Sequence, residues 1–212
     1  MDGVLIDSEN HWQRNERTLF GELGIELTDE LLVQTRGLTT VEMVAHWSSR
    51  FSIDGISREE LMKEYDRRMI HIMETDVPIM DGAVEAIQFF RDKKIPVALA
   101  TCSTGDHIEA AMGKHDLKKY FSLMISAADN MQGKPHPEVY IRTAGLLGTD
   151  PTHCLAFEDS FFGVISAKAA KMKVVAMPDP EEYDQLRFGA ADLKIRSLRE
   201  LNNEVFEKLQ KL

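Results

Sequence analysis

A chain of 212 residues is long enough to bury a full core, as one α/β domain with a subdomain or as two small domains. Its 25 basic and 35 acidic residues leave a net charge of -10, which argues against a face for nucleic-acid backbone or an anionic membrane surface but not against a small anion held locally. No apolar stretch approaches the roughly 20 residues that span a bilayer, no signal peptide precedes the first polar segment, and Cys102 and Cys154 sit in strand-like runs, so a cytoplasmic protein with buried thiols is expected.

The chain opens Met1-Asp2-Gly3-Val4-Leu5-Ile6-Asp7-Ser8-Glu9, which reads as the tail of an acidic active-site loop. Its preceding strand and first carboxylate would then lie ahead of Met1. From His11 to about Met80 apolar residues recur at helical spacing, in Leu19-Phe20-Leu23, Met43-Val44-Trp47 and Leu61-Tyr65-Met69-Ile72. Ser57 followed by Glu60 predicts a capping box at the third helix. From Ala83 the rhythm becomes an alternation of helices with short apolar strands. Helices are predicted over 83–93, 106–114, 137–147 and 163–170, and strands over 96–101, 123–126, 154–158 and 173–177. A short strand near Leu193–Ile195 and a terminal helix from Ser197, with Glu200 as its capping partner, close the pattern. Such alternation implies a doubly wound parallel sheet, an α/β Rossmann-like core, with the helical block inserted over it as a cap. The expected division is a core of residues 1–9 and 81–212 and a helical cap of 10–80. Pro78 and Gly82 suit a hinge or a plain connecting loop equally.

In open parallel sheets ligands collect at the carboxyl ends of strands, which here carry Asp2, Thr101-Cys102-Ser103 and Glu158-Asp159. Lys134 joins them from the loop Gly133-Lys134-Pro135-His136-Pro137. Adjacent carboxylates select a hard divalent cation such as magnesium, a lysine neutralises phosphoryl oxygens, and hydroxyls and loop amides hold the remaining acceptors. Each feature alone has a plainer reading. Glu158-Asp159 would serve as a helix N-cap, Thr101 and Ser103 as turn hydroxyls, and Lys134 as a solvated loop cation. Their joint occurrence in one order along a doubly wound pattern points to a phosphoryl site.

The opening segment, Ala98-Leu99-Ala100-Thr101-Cys102-Ser103, the Gly133–Pro137 loop, and Phe157-Glu158-Asp159-Ser160 with Gly163 resemble the four motifs of the haloacid dehalogenase superfamily. The resemblance covers essentially the whole chain. The helical insertion after the first motif is similar to the subgroup holding β-phosphoglucomutase and small sugar-phosphate phosphatases such as 2-deoxyglucose-6-phosphate phosphatase. It implies that Asp2 is the general acid/base and lends its main-chain carbonyl to magnesium. Thr101, with Cys102 and Ser103, would hold the phosphoryl group, Lys134 would neutralise it, and Glu158 and Asp159 would complete the metal site. In the family an aspartate two positions before the acid/base attacks phosphorus, so the resemblance also implies a strand ending in Asp ahead of Met1, forming the centre of the sheet.

A mutase must hold two phosphates, and three groups that would serve it are replaced here. Trp12 stands where a histidine is usual, threonine occupies the arginine position in Arg36-Gly37-Leu38-Thr39-Thr40, and Thr104 replaces a lysine. The expected activity is therefore magnesium-dependent hydrolysis of a small sugar or polyol monophosphate by a monomer. Phosphoglucomutase-type transfer, a non-catalytic phosphosugar-binding protein and a dehalogenase are the competing readings. Glu9, Trp12 and Arg36 are the expected substrate-facing residues of the cap, while the scattered histidines carry no metal-ligand spacing.

Overall fold

The computed structural model describes residues 1–35, 38–128 and 131–211. After the opening loop, helices α1 (Glu9–Glu22), α2 (Asp29–Leu32), α3 (Thr40–Arg50) and α4 (Arg58–Thr75) follow in succession. Capping boxes start two of them. Thr39 and Glu42 exchange side-chain and backbone bonds at α3, and Ser57 and Glu60 do the same at α4. Each box satisfies two of the amides that a helix start leaves unpaired, worth about 1 kcal/mol. The apolar stripes of these helices close on one another, burying Phe20, Leu27, Leu32, Val44, Trp47 and Leu61 in a cluster of their own.

The alternating part runs α5 (Ala83–Asp92), β1 (Ala98–Thr101), α6 (Gly105–Lys114), β2 (Leu123–Ser126), α7 (Glu138–Leu146), β3 (Leu155–Glu158), α8 (Phe161–Ala169), β4 (Lys173–Ala176), β5 (Leu193–Lys194) and α9 (Asn203–Lys211). Every strand pairing is parallel. β1 pairs with β2 in the register Ala98↔Leu123 to Thr101↔Ser126, and β3 pairs with β4 from Leu155↔Lys173 to Glu158↔Ala176. β5 joins the outer edge of β4. Helix α4 packs against α6, which seats the helical block on the α/β part. The C-terminal end differs from expectation: the Ser197–Glu200 capping box forms, but it closes a 3₁₀ turn over Leu198–Glu200, and extended Leu201 breaks the chain before α9. The side chain of Asn202 caps α9 instead, accepting from the amide of Val205 at 3.0 Å.

The strands form two ladders, β1-β2 and β3-β4-β5, rather than one sheet. Among the described residues neither β1 nor β3 has a strand on its other edge. Between them lies a cavity of about 620 Å³, lined by Ala98, Ala100, Leu155 and Phe157 and closed at one end by Met1 and Leu5. Parallel strands are ordinarily buried on both faces. In β1 and β3 every second residue is half-buried.

Candidate active site

The opening loop spans the ends of these two ladders. Met1 O accepts the amide of Leu5 at 2.8 Å, and Gly3 N donates to Ile6 O at 2.9 Å, folding residues 1–6 into a tight turn. Gly3 adopts φ +63°, and a Cβ there would overlap the Asp159 carboxylate. Only glycine gives both the left-handed backbone and the close approach. The loop thereby brings Asp2 to the end of β1 on one side and its own main chain to Asp159, past the end of β3, on the other.

Asp2 sits among three donors. Oδ1 accepts from the Ser8 hydroxyl at 2.6 Å and from the Trp12 indole Nε1 at 3.0 Å. Oδ2 accepts from the Ser103 hydroxyl at 2.7 Å. Burial works against ionisation of this carboxyl, and the three donors favour it. Ser8 is the N-cap residue of α1, yet its side chain makes no capping bond and serves Asp2 instead. At the end of β1, Thr101 Oγ1 donates to Ser103 Oγ at 3.2 Å and accepts the Ser103 amide at 3.1 Å. Ser126 Oγ fixes the same turn by donating to Ser103 O at 2.7 Å. Cys102 is half-buried, its sulfur beside Gly133 in the lysine loop, and Cys154 is half-buried also, so neither thiol reaches the full burial expected.

At the end of β3, Glu158 is 3% exposed. It pairs with Lys134 and accepts from the Tyr140 hydroxyl, and Ser160 Oγ lies 3.5 Å away. Burial disfavours the Lys134 ammonium, but the Glu158 carboxylate beside it more than compensates and raises its pKa. Gly163, in the first turn of α8, leaves room for this pair, since a Cβ there would overlap the Glu158 carboxylate. Asp159 meets the opposite situation. Burial, with the Glu158 charge next to it, pushes its carboxyl up to about 7. The structure thus brings Asp2, Thr101, Ser103, Lys134, Glu158 and Asp159 to one end of the α/β part.

The helical candidates fall differently. Glu9 is half-buried in the first turn of α1 and accepts from Gln13 Nε2 at 3.0 Å. The Trp12 ring packs between Tyr65 and His107, with its N–H on Asp2. Arg36 lies outside the described residues. Two site partners had no signal in the linear sequence. Neither Ser8 nor Tyr140 stands out locally, because the carboxylates they meet are brought to them only by the fold.

A family profile described as haloacid dehalogenase-like hydrolase matches residues 1–177, a span that contains all these strand-end groups. The chain belongs to the haloacid dehalogenase-like hydrolases. This hydrolase is 37% identical over 202 residues to hexitol phosphatase B of Escherichia coli strain K12, covering 95% of the chain and 91% of that protein. It is 30% identical over 217 residues to a probable pseudouridine-5'-phosphatase of Drosophila melanogaster, covering 97% and 90%. Among solved structures, a family IA hydrolase of Entamoeba histolytica superposes with a TM-score of 0.87 at 22% identity, covering 100% of this chain and 97% of that one. A β-phosphoglucomutase of Clostridium difficile superposes at 0.82 and 20%, covering 99% and 94%. At such identities these two likenesses concern the fold alone.

Proposed function

We propose that this hydrolase removes the phosphoryl group from a small sugar or polyol monophosphate, with residues 10–80 closing over the site as a cap. The observation that carries the reading is the convergence of one buried cation, Lys134, with Asp2, Thr101, Ser103 and Asp159 around the opening loop. The kinship with hexitol phosphatase B supports the substrate class. Lys134 neutralises the phosphoryl oxygens, and the Thr101 hydroxyl, turning its one proton away from Ser103, donates to them, while Ser103 keeps its own on Asp2.

The proposal assigns the attacking carboxylate to an aspartate at the end of an extended apolar segment ahead of Met1, seated in the cavity between β1 and β3. That segment would complete the ladders of both strands, whose unpaired edges are costly when buried. In the first step the carboxylate oxygen bonds to phosphorus, the P–O ester bond breaks, and the departing oxygen takes a proton from Asp2. In the second, water attacks phosphorus, gives its proton to Asp2, and phosphate leaves with the aspartate restored.

Magnesium fits the donor set. Asp2, Glu158 and Asp159 outnumber Lys134, and burial with the Glu158 charge keeps Asp159 protonated to about 7, as expected of a site short of positive charge. Among the described residues no group of three or more His, Cys, Asp or Glu side chains has metal-holding geometry. The main-chain carbonyl of Asp2 with the carboxylates of Glu158 and Asp159 would hold the ion. When bound it would offset the negative charge of the phosphoryl group.

Phosphate release from a panel of hexitol, hexose and glycerol monophosphates, with magnesium or with EDTA, tests the reading on the full-length protein. Magnesium-dependent release is expected. Binding without turnover would leave a phosphosugar-binding protein, and interconversion of glucose 1-phosphate and glucose 6-phosphate with little phosphate released would leave a mutase.

A further inference from the structure

The three donors around Asp2 are unevenly shared between its oxygens. A carboxylate oxygen offers two in-plane acceptor sites. Oδ1 has both occupied, by Ser8 Oγ at 2.6 Å and Trp12 Nε1 at 3.0 Å, whereas Oδ2 has one, filled by Ser103 Oγ at 2.7 Å. We propose that Trp12 is a positioning residue for Asp2, which with Ser8 takes up Oδ1 and leaves the free site of Oδ2, beside Ser103, to meet the leaving oxygen of the substrate.

The surroundings of the indole support this assignment. Its ring meets His107 edge-on, with centroids 5.2 Å apart and planes at 82°, and lies 5.7 Å from the Tyr65 ring. The Tyr65 hydroxyl reaches the Trp12 carbonyl at 3.4 Å. Among the described residues Trp12 alone packs against both the cluster inside the helical block and the cluster under β1 and α6. Its ring is therefore held from both sides, and its one polar atom is spent on Asp2. An indole N–H only donates, so Trp12 fixes the orientation of the carboxylate without taking or supplying a proton.

This inference rests on the acid/base role proposed for Asp2, and the test separates the two. The quantity kcat/KM extends only to departure of the leaving group. It is compared for a hexitol phosphate, whose alkoxide needs a proton, and p-nitrophenyl phosphate, whose phenolate leaves without one. For Trp12→Phe the expected loss is about tenfold to a hundredfold with the hexitol ester and less than about threefold with the aryl ester. Trp12→His, which restores a ring N–H, should recover part of the loss, and Ser8→Ala should reproduce the selectivity if Trp12→Phe does not fold. Equal losses with both esters, or a rise in KM with kcat unchanged, would overturn the proposal. Asp2→Asn is the control: if it fails to distinguish the esters, the acid/base role is what falls. Independently of turnover, the Trp12 indole ¹⁵N–¹H resonance must shift in Asp2→Asn relative to wild type, and an unmoved resonance would refute the contact.

Discussion

Replacing Lys134 with methionine removes the buried cation while keeping most of its volume. The side chains of Lys134 and Glu158 are 14% and 4% exposed, so the change strands a carboxylate that water cannot reach. Breaking a buried pair by removing one partner costs about 3–5 kcal/mol. Glu158 keeps the Tyr140 hydroxyl, which places the loss at the lower end, about 3 kcal/mol. For a domain of this size that lowers Tm by about 6–12 °C. Because the folded state raises the Lys134 pKa, the pair contributes fully at neutral pH and fades only as pH climbs past the ordinary lysine range. Adding Glu158→Gln neutralises the stranded charge and should return most of the lost Tm, since a buried pair and a neutral replacement are often similar in stability. Activity should not return, because the phosphoryl oxygens still lack their cation, and both variants should turn over about a hundredfold or more below wild type. Differential scanning calorimetry with steady-state phosphate release reads both quantities. A Lys134→Met protein with unchanged Tm, or a double variant that regains turnover, would refute the reasoning.

Gly163→Ala should destabilise, although alanine in a helix ordinarily gains about 1 kcal/mol over glycine, because its Cβ displaces the Glu158 carboxylate and with it Lys134. Urea denaturation decides the sign, and a stabilised, fully active variant would contradict the packing described. Glu16, buried under Trp47 and Thr35 in the helical block, has its pKa raised chiefly by burial, against the two hydrogen bonds it accepts. The folded state thus holds this proton more tightly than the unfolded chain, and stability falls as pH rises from the ordinary glutamate range through the raised value. Glu16→Gln keeps an acceptor oxygen for both donors without the charge, so Tm should rise above that window and the local pH dependence should flatten; a lower Tm at neutral pH would show that the charge is wanted. A chain carrying an apolar extension ahead of Met1 should melt higher than one beginning at Met1, each kcal/mol gained from filling the β1–β3 cavity being worth about 2–4 °C. Equal Tm values would mean that the cavity is not a strand site.

Much of this arrangement was legible in the linear sequence where local chemistry and periodicity agree. The Ser57–Glu60 box, the alternation from Ala83 onward and the carboxylates closing β3 all appear within a few residues of their expected places. The misreading at Ser197 has a physical cause. Its capping box is genuine, but a box signals the first turn of a helix and not its continuation, and here the chain leaves after one 3₁₀ turn. Contacts between distant segments left no local trace. The indole of Trp12 reads as a substrate-facing group of the cap until the fold turns its N–H to Asp2, and Tyr140 meets Glu158 from 18 positions away. Ser8 shows the same limit at short range, since nothing in its immediate neighbours says that the hydroxyl of this N-cap residue is used on Asp2.

The most direct test is to mix the full-length protein with substrate and magnesium, quench with acid within one turnover, and map any phosphorylated peptide by mass. The account predicts one phosphoryl group on an aspartate in the segment leading into Met1-Asp2-Gly3, accumulating further in Asp2→Asn as its hydrolysis slows. A phosphoryl group on any other residue, or phosphate release with no phosphorylated enzyme in either protein, would contradict it.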